Sequence, residues 1–412
     1  MKTDVAIVGG GAAGLAAAIF AARQGFSVAV AEKAPRVGRK LLSTGNGTCN
    51  ITNIHAAPSY YHGADPDFVT PALAAFPPAA AMDFFRSIGV VCRAREDGRV
   101  YPLCEQAAAV LDCLRAECAA CGVIEQADTT VTAIRPQKGG FLLETTNGSW
   151  QATRVLVTAG GAASPSLGGC TDGYGLLTAL GHDKTPLFPA ITQIRADSEW
   201  LRAVKGLRVD ATLSLWLNGR QVAAQTGELL FTDYGLSGPA ALQISRIAGD
   251  WERQKKGSLT ARVDLLPDWS GEEVAAEVRR RRALPGRTLE DLLTGLLNKR
   301  VGQTVLRAAG ALPLGRAADT LSEKEVAAIA ATIKGWEFSV SGTKGLAAAQ
   351  VTAGGIATAG FDPVTMESRR VPGLYAAGEV LDIDGECGGF NLQWAWSSAF
   401  AAVTAMAERG RR

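Results

Sequence analysis

Apolar and polar positions change period several times along the chain, and each change marks an element. Val5 to Ala22 is an uncharged run with three adjacent glycines, Gly9 to Gly11, near its centre. A membrane span or signal segment would not be interrupted there. The run predicts a buried strand over Asp4–Val8, a turn, and a buried helix over LAAAIFAARQG. FSVAVAEK, after Gly25, predicts a second strand ending at Glu32. Phe68 to Cys121 is mostly helical in pattern, broken by a short extended element at Arg99–Leu103 that leads into a helix over Glu105–Cys121. Gly122 to Trp150 alternates with period two around an Asn147-Gly148 hairpin, a strand meander, and Arg154–Gly161 reads as another buried strand ending in small residues.

From about Leu187 to Leu265 short strands and turns dominate, including ATLSLWLNGRQVAA with its Asn218-Gly219 hairpin. GEEVAAEVRRRRA and TLEDLLTGLLNKRVGQTVLRAAG are helical in pattern, and Ser322 with Glu325 three residues later marks a further helix start. Gly335–Lys344 returns to an extended pattern. VPGLYAAGEV gives a short strand into Gly378-Glu379, and NLQWAWSSAFAAVTAMAERG predicts a final helix whose amino end follows Gly388 and Gly389. The fold class is therefore α/β. A Rossmann-like cofactor domain is built from both chain ends, residues 1–186 and 351–412. A β-rich domain (187–265 and 335–350) and a small helical subdomain (266–334) are inserted in it.

Composition narrows the picture only slightly. The chain has 412 residues, 47% of them hydrophobic, and 42 basic against 40 acidic residues. A net charge of +2 gives no global field for nucleic acid or an anionic membrane. Eight cysteines with no dense framework fit a reduced, cytoplasmic protein, and a monomer or small homo-oligomer is expected. His55, His62 and His182 form no ligand spacing, so no metal is expected, and His55 reads as a surface residue or as one near the site. Cys118 and Cys121 have C-x-x-C spacing but fall late in a helix, whereas a redox pair needs accessible thiols at a helix start.

The chemistry concentrates at the two ends. Gly9, Gly11 and Gly14 have the spacing G-x-G-x-x-G between a strand and a helix: the first permits the turn, the second the approach of a pyrophosphate, the third the packing of helix on strand. The first helical turn, with Ala12 and Ala13, offers amide groups to a diphosphate. Glu32 could accept from an adenosine ribose and would repel a 2′-phosphate, which favours FAD or NAD over NADP, with a solvent-facing acid as the alternative. Lys33 follows it. In GRKLLSTGNGTCNITN, Arg39 and Lys40 could meet phosphate, and Ser43, Thr44, Asn46 and Asn50 could bond polar ligand atoms. Gly45 and Gly47 admit close backbone approach; a glycine-rich surface turn is the alternative. Val131 in the meander, and Thr158, Ala159 and Gly160 at a strand's carboxyl end, complete the expected cofactor face. So does the amino end of the final helix, where Gly389 precedes Phe390 and the helix dipole would favour negative charge on a reduced flavin ring.

The strings GGGAAGLAAA, GRKLLSTGNGTCNITN, TGELLFTDYGLSGPA and TMESRRVPGLYAAGEVLDIDGECGGFNLQWAWSS together resemble the HI0933-like, or BaiN-like, family of FAD-dependent flavoproteins over essentially the whole chain. The resemblance implies a two-dinucleotide-binding-domain fold with FAD bound by both ends. It places Gly9, Gly11, Gly14, Glu32, Arg39, Lys40, Asn46, Cys49, Asn50, Gly378, Glu379, Asp382, Gly389, Asn391 and Leu392 in cofactor-facing segments. Two positions depart from the family. Thr48 stands where an arginine is usual, and Asp233 where many members carry histidine.

Some BaiN-like proteins reduce conjugated C=C bonds of 3-oxo bile acids, so the resemblance implies hydride delivery to an enone, a small-molecule acceptor. No second strand-glycine-helix unit appears, so a nicotinamide donor, NADH or NADPH, would visit transiently; TDGYGLLTALG lacks the spacing and the strand. Asp233 and Tyr234 are candidate proton donors on a turn that could face the flavin across the domain junction, and Cys49 is the third candidate for chemistry. The alternatives are an RNA-modifying or RNA-binding flavoprotein, suggested by WERQKK, the run Arg279–Arg282 and Lys299-Arg300, and a noncatalytic flavin-binding role.

Overall fold

A computed structural model describes residues 1–410. The chain divides into two compact units, Met1–Phe188 with Gln350–Arg412, and Pro189–Ala349.

In the first unit Val5, Ala6 and Ile7 are wholly buried. A strand apolar on both faces needs cover on both sides, and Lys2–Val8 accordingly lies inside a seven-stranded sheet. Ile124–Gln126, Val28–Ala31, Lys2–Val8 and Gly148–Val157 run parallel in that order. The long strand Gly148–Val157 serves two partners along its other edge. Its first half pairs antiparallel with Gly140–Thr145, the hairpin predicted at Asn147-Gly148, and Val155–Val157 pairs parallel with Leu374–Ala376. That second pairing is where the two chain ends become one sheet. The strand stops at Val157, earlier than its sequence pattern suggests: Thr158 N–H still donates to the Val8 carbonyl, and Gly160 then turns through a positive φ of 71°. The first helix, Ala12–Arg23, packs against the final helix, Phe390–Gly410, with the Phe20 and Phe400 rings 5.4 Å apart.

The second unit is a closed six-stranded barrel. Its strands follow the order Ile194–Asp197, Gly235–Ser237, Arg220–Phe231, Arg208–Leu217, Leu259–Asp264, Trp336–Thr343. Closure comes from the antiparallel pairing of Ile194 with Thr343. Leu213, Leu215, Leu229, Phe231, Ala261 and Val263 fill the interior. The helical pattern from Thr288 to Gly310 is only partly realised: a 3₁₀ turn at Leu289–Asp291 precedes an α-helix confined to Lys299–Ala308. Gly295 turns through a positive φ of 82° and the Asn298 side chain caps Arg300 N–H, so the helix starts anew there. Among the described residues no single helix is long and apolar enough to cross a membrane.

Candidate functional site

The crevice at the carboxyl ends of the parallel strands is where an open α/β sheet binds ligands, and the first unit's glycines are arranged there by contact rather than by composition. Gly9 has φ of 105°, and a Cβ on it would lie 2.6 Å from the Thr158 carbonyl oxygen. A Cβ on Gly14 would lie 2.0 Å from the Gly9 carbonyl oxygen, so helix and strand touch at that point. Gly11 differs from both, since a Cβ there would meet nothing within 4 Å. It caps a first helix that no side chain caps, leaving the amides of Ala12 and Ala13 at an open edge.

Glu32 is fixed beside this edge. Gly10 N–H donates to its Oε2 at 2.8 Å and Ala34 N–H to its Oε1 at 2.8 Å, which leaves lone pairs for hydroxyl donors. Thr129 N–H donates to the Glu32 carbonyl, which brings the strand carrying buried Val131 alongside. Lys33 turns away to Asp172, 2.7 Å distant, and that partner holds its ammonium pKa above the usual value. Arg39 is exposed and donates to the Ser166 carbonyl at 2.9 Å. Ala159 and Gly160 are half-buried at the strand's carboxyl end, while Thr158 is buried with its hydroxyl donating to the Gly9 carbonyl.

The loop from Leu41 to Gly47 folds as short 3₁₀ turns, with Gly45 and Asn46 both left-handed. Its hydroxyls are largely committed to itself: Ser43 donates to Lys40, Thr44 to Leu41 and Thr48 to Gly45 carbonyl oxygens. Those side chains shape the loop and keep only lone pairs for a ligand. Cys49 is wholly buried, and burial pushes its thiol up to about 12. A protonated thiol with no exposure does not suit a nucleophile. Cys118, buried in the helix Ala107–Ala120, is likewise pushed up to about 12 by burial.

Tertiary contacts carry this loop to the other chain end. Lys40 pairs with Glu379 at 2.8 Å, and Thr352 N–H donates to the same carboxylate. A Cβ on Gly389 would strike the Thr52 carbonyl group at 2.5 Å and approach Asn50 Oδ1 to 2.9 Å. Thr52 donates to Gln393 Oε1, Asn53 Nδ2 donates to the Gly388 carbonyl, and Trp396 Nε1 donates to the Ile51 carbonyl. Asn391 spans the turn before the final helix, accepting from Gly385 N–H and donating to the Gly385 carbonyl. Asp382 is buried and accepts from Ala64 N–H, and Gly378 N–H donates to Ser398. Phe390 is buried with Tyr60 stacked on it at 4.5 Å, and Leu392 is half-buried on the next turn. Thr52, Asn53, Thr352 and Gln393 escaped sequence reasoning. Their partners lie up to 341 residues away along the chain, and no local pattern signals them.

Two observations test whether these residues fit a dinucleotide cofactor. Asn50 is nine-tenths buried yet its Oδ1 has no hydrogen-bond partner, although it faces Gly389 at the start of the final helix. The open position at Gly11 adjoins the uncapped amides of the first helix and follows Gly10, whose N–H the Glu32 carboxylate accepts. An unpaired buried oxygen and an open glycine position beside uncapped amides fit a dinucleotide cofactor such as FAD.

In the second unit, Asp233 and Tyr234 stand in a tight turn where the Gly235 carbonyl accepts from both Thr232 N–H and Thr232 Oγ1. Lys205, 2.6 Å from Asp233, holds that carboxyl below the usual range, so at neutral pH it is a carboxylate rather than an acid. Lys344 lies 4.4 Å from the centre of the Tyr234 ring. The arginine run is internally neutralised. Arg279 and Arg282 reach Glu323 at 2.7 and 2.6 Å, and Arg280 and Arg281 each reach Glu277 at 2.7 Å. Arg253 pairs with Asp250, Lys299 with Asp291 at 3.5 Å, and Arg300 donates to the Ala203 carbonyl. In the first unit, Thr171–Gly181 holds a short helix, Asp172–Ala179, whose Gly173 is packed where a Cβ would lie 2.6 Å from the Ala159 Cβ.

Comparison with known proteins identifies the family. The family described as "HI0933-like protein Rossmann domain" matches residues 3–405. A "3-dehydro-bile acid delta(4,6)-reductase" of Clostridium scindens is 36% identical over 409 residues, 98% of this chain and 99% of the relative. A "ribosomal RNA dihydrouridine synthase" of Haemophilus influenzae is 32% identical over 410 residues, 98% of each. Among solved structures, quinol fumarate reductase from E. coli shares the fold with a TM-score of 0.52 at 19% identity, over 100% of this chain and 71% of that one.

Proposed function

The chain belongs to the HI0933-like family of FAD-dependent oxidoreductases, and from that premise we propose that it reduces a C=C bond conjugated to a carbonyl in a small organic acceptor. The observation that carries this reading is full-length similarity, at 36% identity, to a reductase named for a 3-dehydro bile acid. FAD supplies the two-electron chemistry when bound. The chain's own residues would do the rest. The open first turn at Gly11 to Ala13 would hold the diphosphate, Glu32 the ribose hydroxyls, and Asn50 and the Gly388-Gly389 turn the flavin ring. Lys40 and Glu379 would tie the loop to the C-terminal segment across that space. Tyr234 is the better proton donor of the two turn residues, since Lys205 keeps Asp233 ionised. Cys49 serves as a compact packing residue. A nicotinamide donor visiting transiently and a cytoplasmic setting complete the reading.

A second reading is favoured by the relatives named for dihydrouridine synthesis, at 32% identity. Saturating the C5=C6 bond of uracil is also reduction of a double bond conjugated to a carbonyl, so the two readings share the chemistry and differ in the acceptor. The pairing of all four arginines of the run with glutamates tells against that run as an RNA-binding strip.

Anaerobic stopped-flow mixing tests both. The purified protein, reduced with NADH, NADPH or dithionite, is mixed with cyclic enones or with a uridine-containing ribosomal RNA fragment. Reoxidation by enones with a saturated product supports the first reading. Reoxidation by RNA alone replaces it with the second, and reoxidation by neither refutes both.

A further inference from the structure

We propose that Arg99 holds the acceptor's carbonyl oxygen during the reduction, as the cationic group beside the amino end of the final helix; this rests on the reading just given. Arg99 lies in register with Asn53 on a neighbouring strand. Asn53 Nδ2 donates to the Gly388 carbonyl at 3.0 Å. A Cβ on Gly388 would sit 3.5 Å from Arg99 Nε, so the guanidinium lies against the bare face of that glycine. The pair of strands that fixes the helix entrance therefore also presents a cation to it.

Three features make this a binding position rather than a surface ion pair. The Arg99 side chain is 34% exposed, so it is not sealed into the fold. Its carboxylate partner, Asp97, is 54% exposed and 3.4 Å from Nε, a loose contact whose firmer role is to accept Arg99 N–H and shape the turn. The buried Oδ1 of Asn50, an acceptor without a partner, faces the adjoining Gly389 and marks the same helix entrance as a ligand position, where it calls for a donor such as a cofactor N–H and leaves the acceptor's oxygen to Arg99. Glu386, the nearby acid on the Gly388 segment, is 4.0 Å from His62.

Arg99 meets an electrostatic demand of the chemistry. Hydride delivered from the reduced cofactor forms a C–H bond at the β carbon. The C=C π pair shifts towards the carbonyl carbon and the carbonyl π pair moves to oxygen, leaving an enolate that takes a proton at the α carbon. A guanidinium N–H donated to that oxygen stabilises charge that appears only as hydride arrives, and the helix dipole acts in the same sense. The substrate class is thus a carbonyl whose oxygen can reach the Gly388 turn, and a phenolate, which resembles the enolate, should bind there.

The test uses the FAD-loaded full chain with Arg99→Met and Arg99→Lys. In wild type, a para-substituted phenol should give a long-wavelength charge-transfer band with oxidised flavin. Arg99→Met should weaken that binding about tenfold or more and slow reoxidation by a cyclic enone roughly 10²-fold, as loss of one oxyanion donor does. Reoxidation by ferricyanide, which has no carbonyl, should stay within about twofold, and Arg99→Lys should recover part of the enone rate. Phenolate binding and enone rates within twofold of wild type in Arg99→Met would overturn the assignment. Should that variant lose FAD, Arg99→Gln decides: an enone rate within about twofold of wild type overturns it, and a selective loss against ferricyanide upholds it. A wild-type protein that reduces no enone, while Arg99→Met still weakens phenolate binding, refutes the functional reading and leaves Arg99 as an anion-holding residue.

Discussion

The first helix, Ala12–Arg23, and the helix Gly271–Arg282 of the second unit solve the same problem in opposite ways. A helix start leaves amide groups without partners. At Gly271–Arg282 the chain closes the end itself: Ser270 accepts from Glu273 N–H, and the Glu273 carboxylate accepts from Ser270 N–H. Glu323–Lys334 repeats this capping box with Ser322 and Glu325. At Ala12–Arg23 the cap is Gly11, with no side-chain bond and nothing within 4 Å of where its Cβ would be. An uncapped start is not by itself diagnostic, since Ala107–Ala120 and Pro239–Gln254 also lack a side-chain cap. What distinguishes the first helix is an open position flanked by two glycines pressed against backbone. The tight contacts hold the geometry, and the open one leaves room where the proposed function puts the diphosphate.

Substitutions at these positions separate the two roles. Gly14→Val should be the most damaging, because its Cβ would lie 2.0 Å from a backbone oxygen that cannot yield. A loss of about 3 kcal/mol or more in denaturant unfolding is expected, and a variant as stable as wild type would show that helix and strand do not touch there. Gly11→Val has room and an extended backbone, with φ of −81°, so apoprotein unfolding should shift by less than about 0.5 kcal/mol. FAD retained after gel filtration should nonetheless fall at least tenfold; full retention would remove the pyrophosphate from this turn. Ser322→Ala should lower stability by about 1 kcal/mol with FAD content unchanged, the converse pattern.

Two smaller effects sharpen the contrast. Arg280 and then Arg281 hold the Glu277 carboxyl down at about 2, below its ordinary 4.5. A depressed carboxyl contributes stability that is complete above its unfolded value and is lost as pH falls through the folded one. Wild type should therefore lose stability from about pH 4.5 towards pH 2, and Glu277→Gln should flatten part of that slope in acid unfolding. Cys49→Ala should leave the anaerobic enone reoxidation rate within about twofold, with a modest stability loss near 1 kcal/mol. A larger rate loss at unchanged FAD content would return the thiol to the chemistry.

Much of the first unit was legible because its signals are local. The strand, glycines and helix of Asp4 to Gly25 are dictated by apolar runs and by steric demands that only glycine meets. The hairpins at Asn147-Gly148 and Asn218-Gly219 and the capping box at Ser322 announce themselves within four residues. The reading of Ser43 and Thr44 as ligand donors fared differently, since their hydroxyls had nearer carbonyls to satisfy. Burial of Cys49 was equally hidden, because burial belongs to what packs over a residue and not to its neighbours in the chain.

Neighbouring residues were enough to fix the local elements, the glycine turn and the acid that follows it, since each depends on backbone freedom and side-chain period within a few residues. Tertiary structure alone decided three things: the closure of the barrel through Ile194 and Thr343, the Lys40–Glu379 tie, and the gathering of Asn50, Asn53 and Arg99 around Gly388 and Gly389. Such contacts join residues up to hundreds of positions apart, and no single segment encodes its partner. They form because strand pairing and core packing satisfy the chain as a whole, which no stretch of a few residues can do.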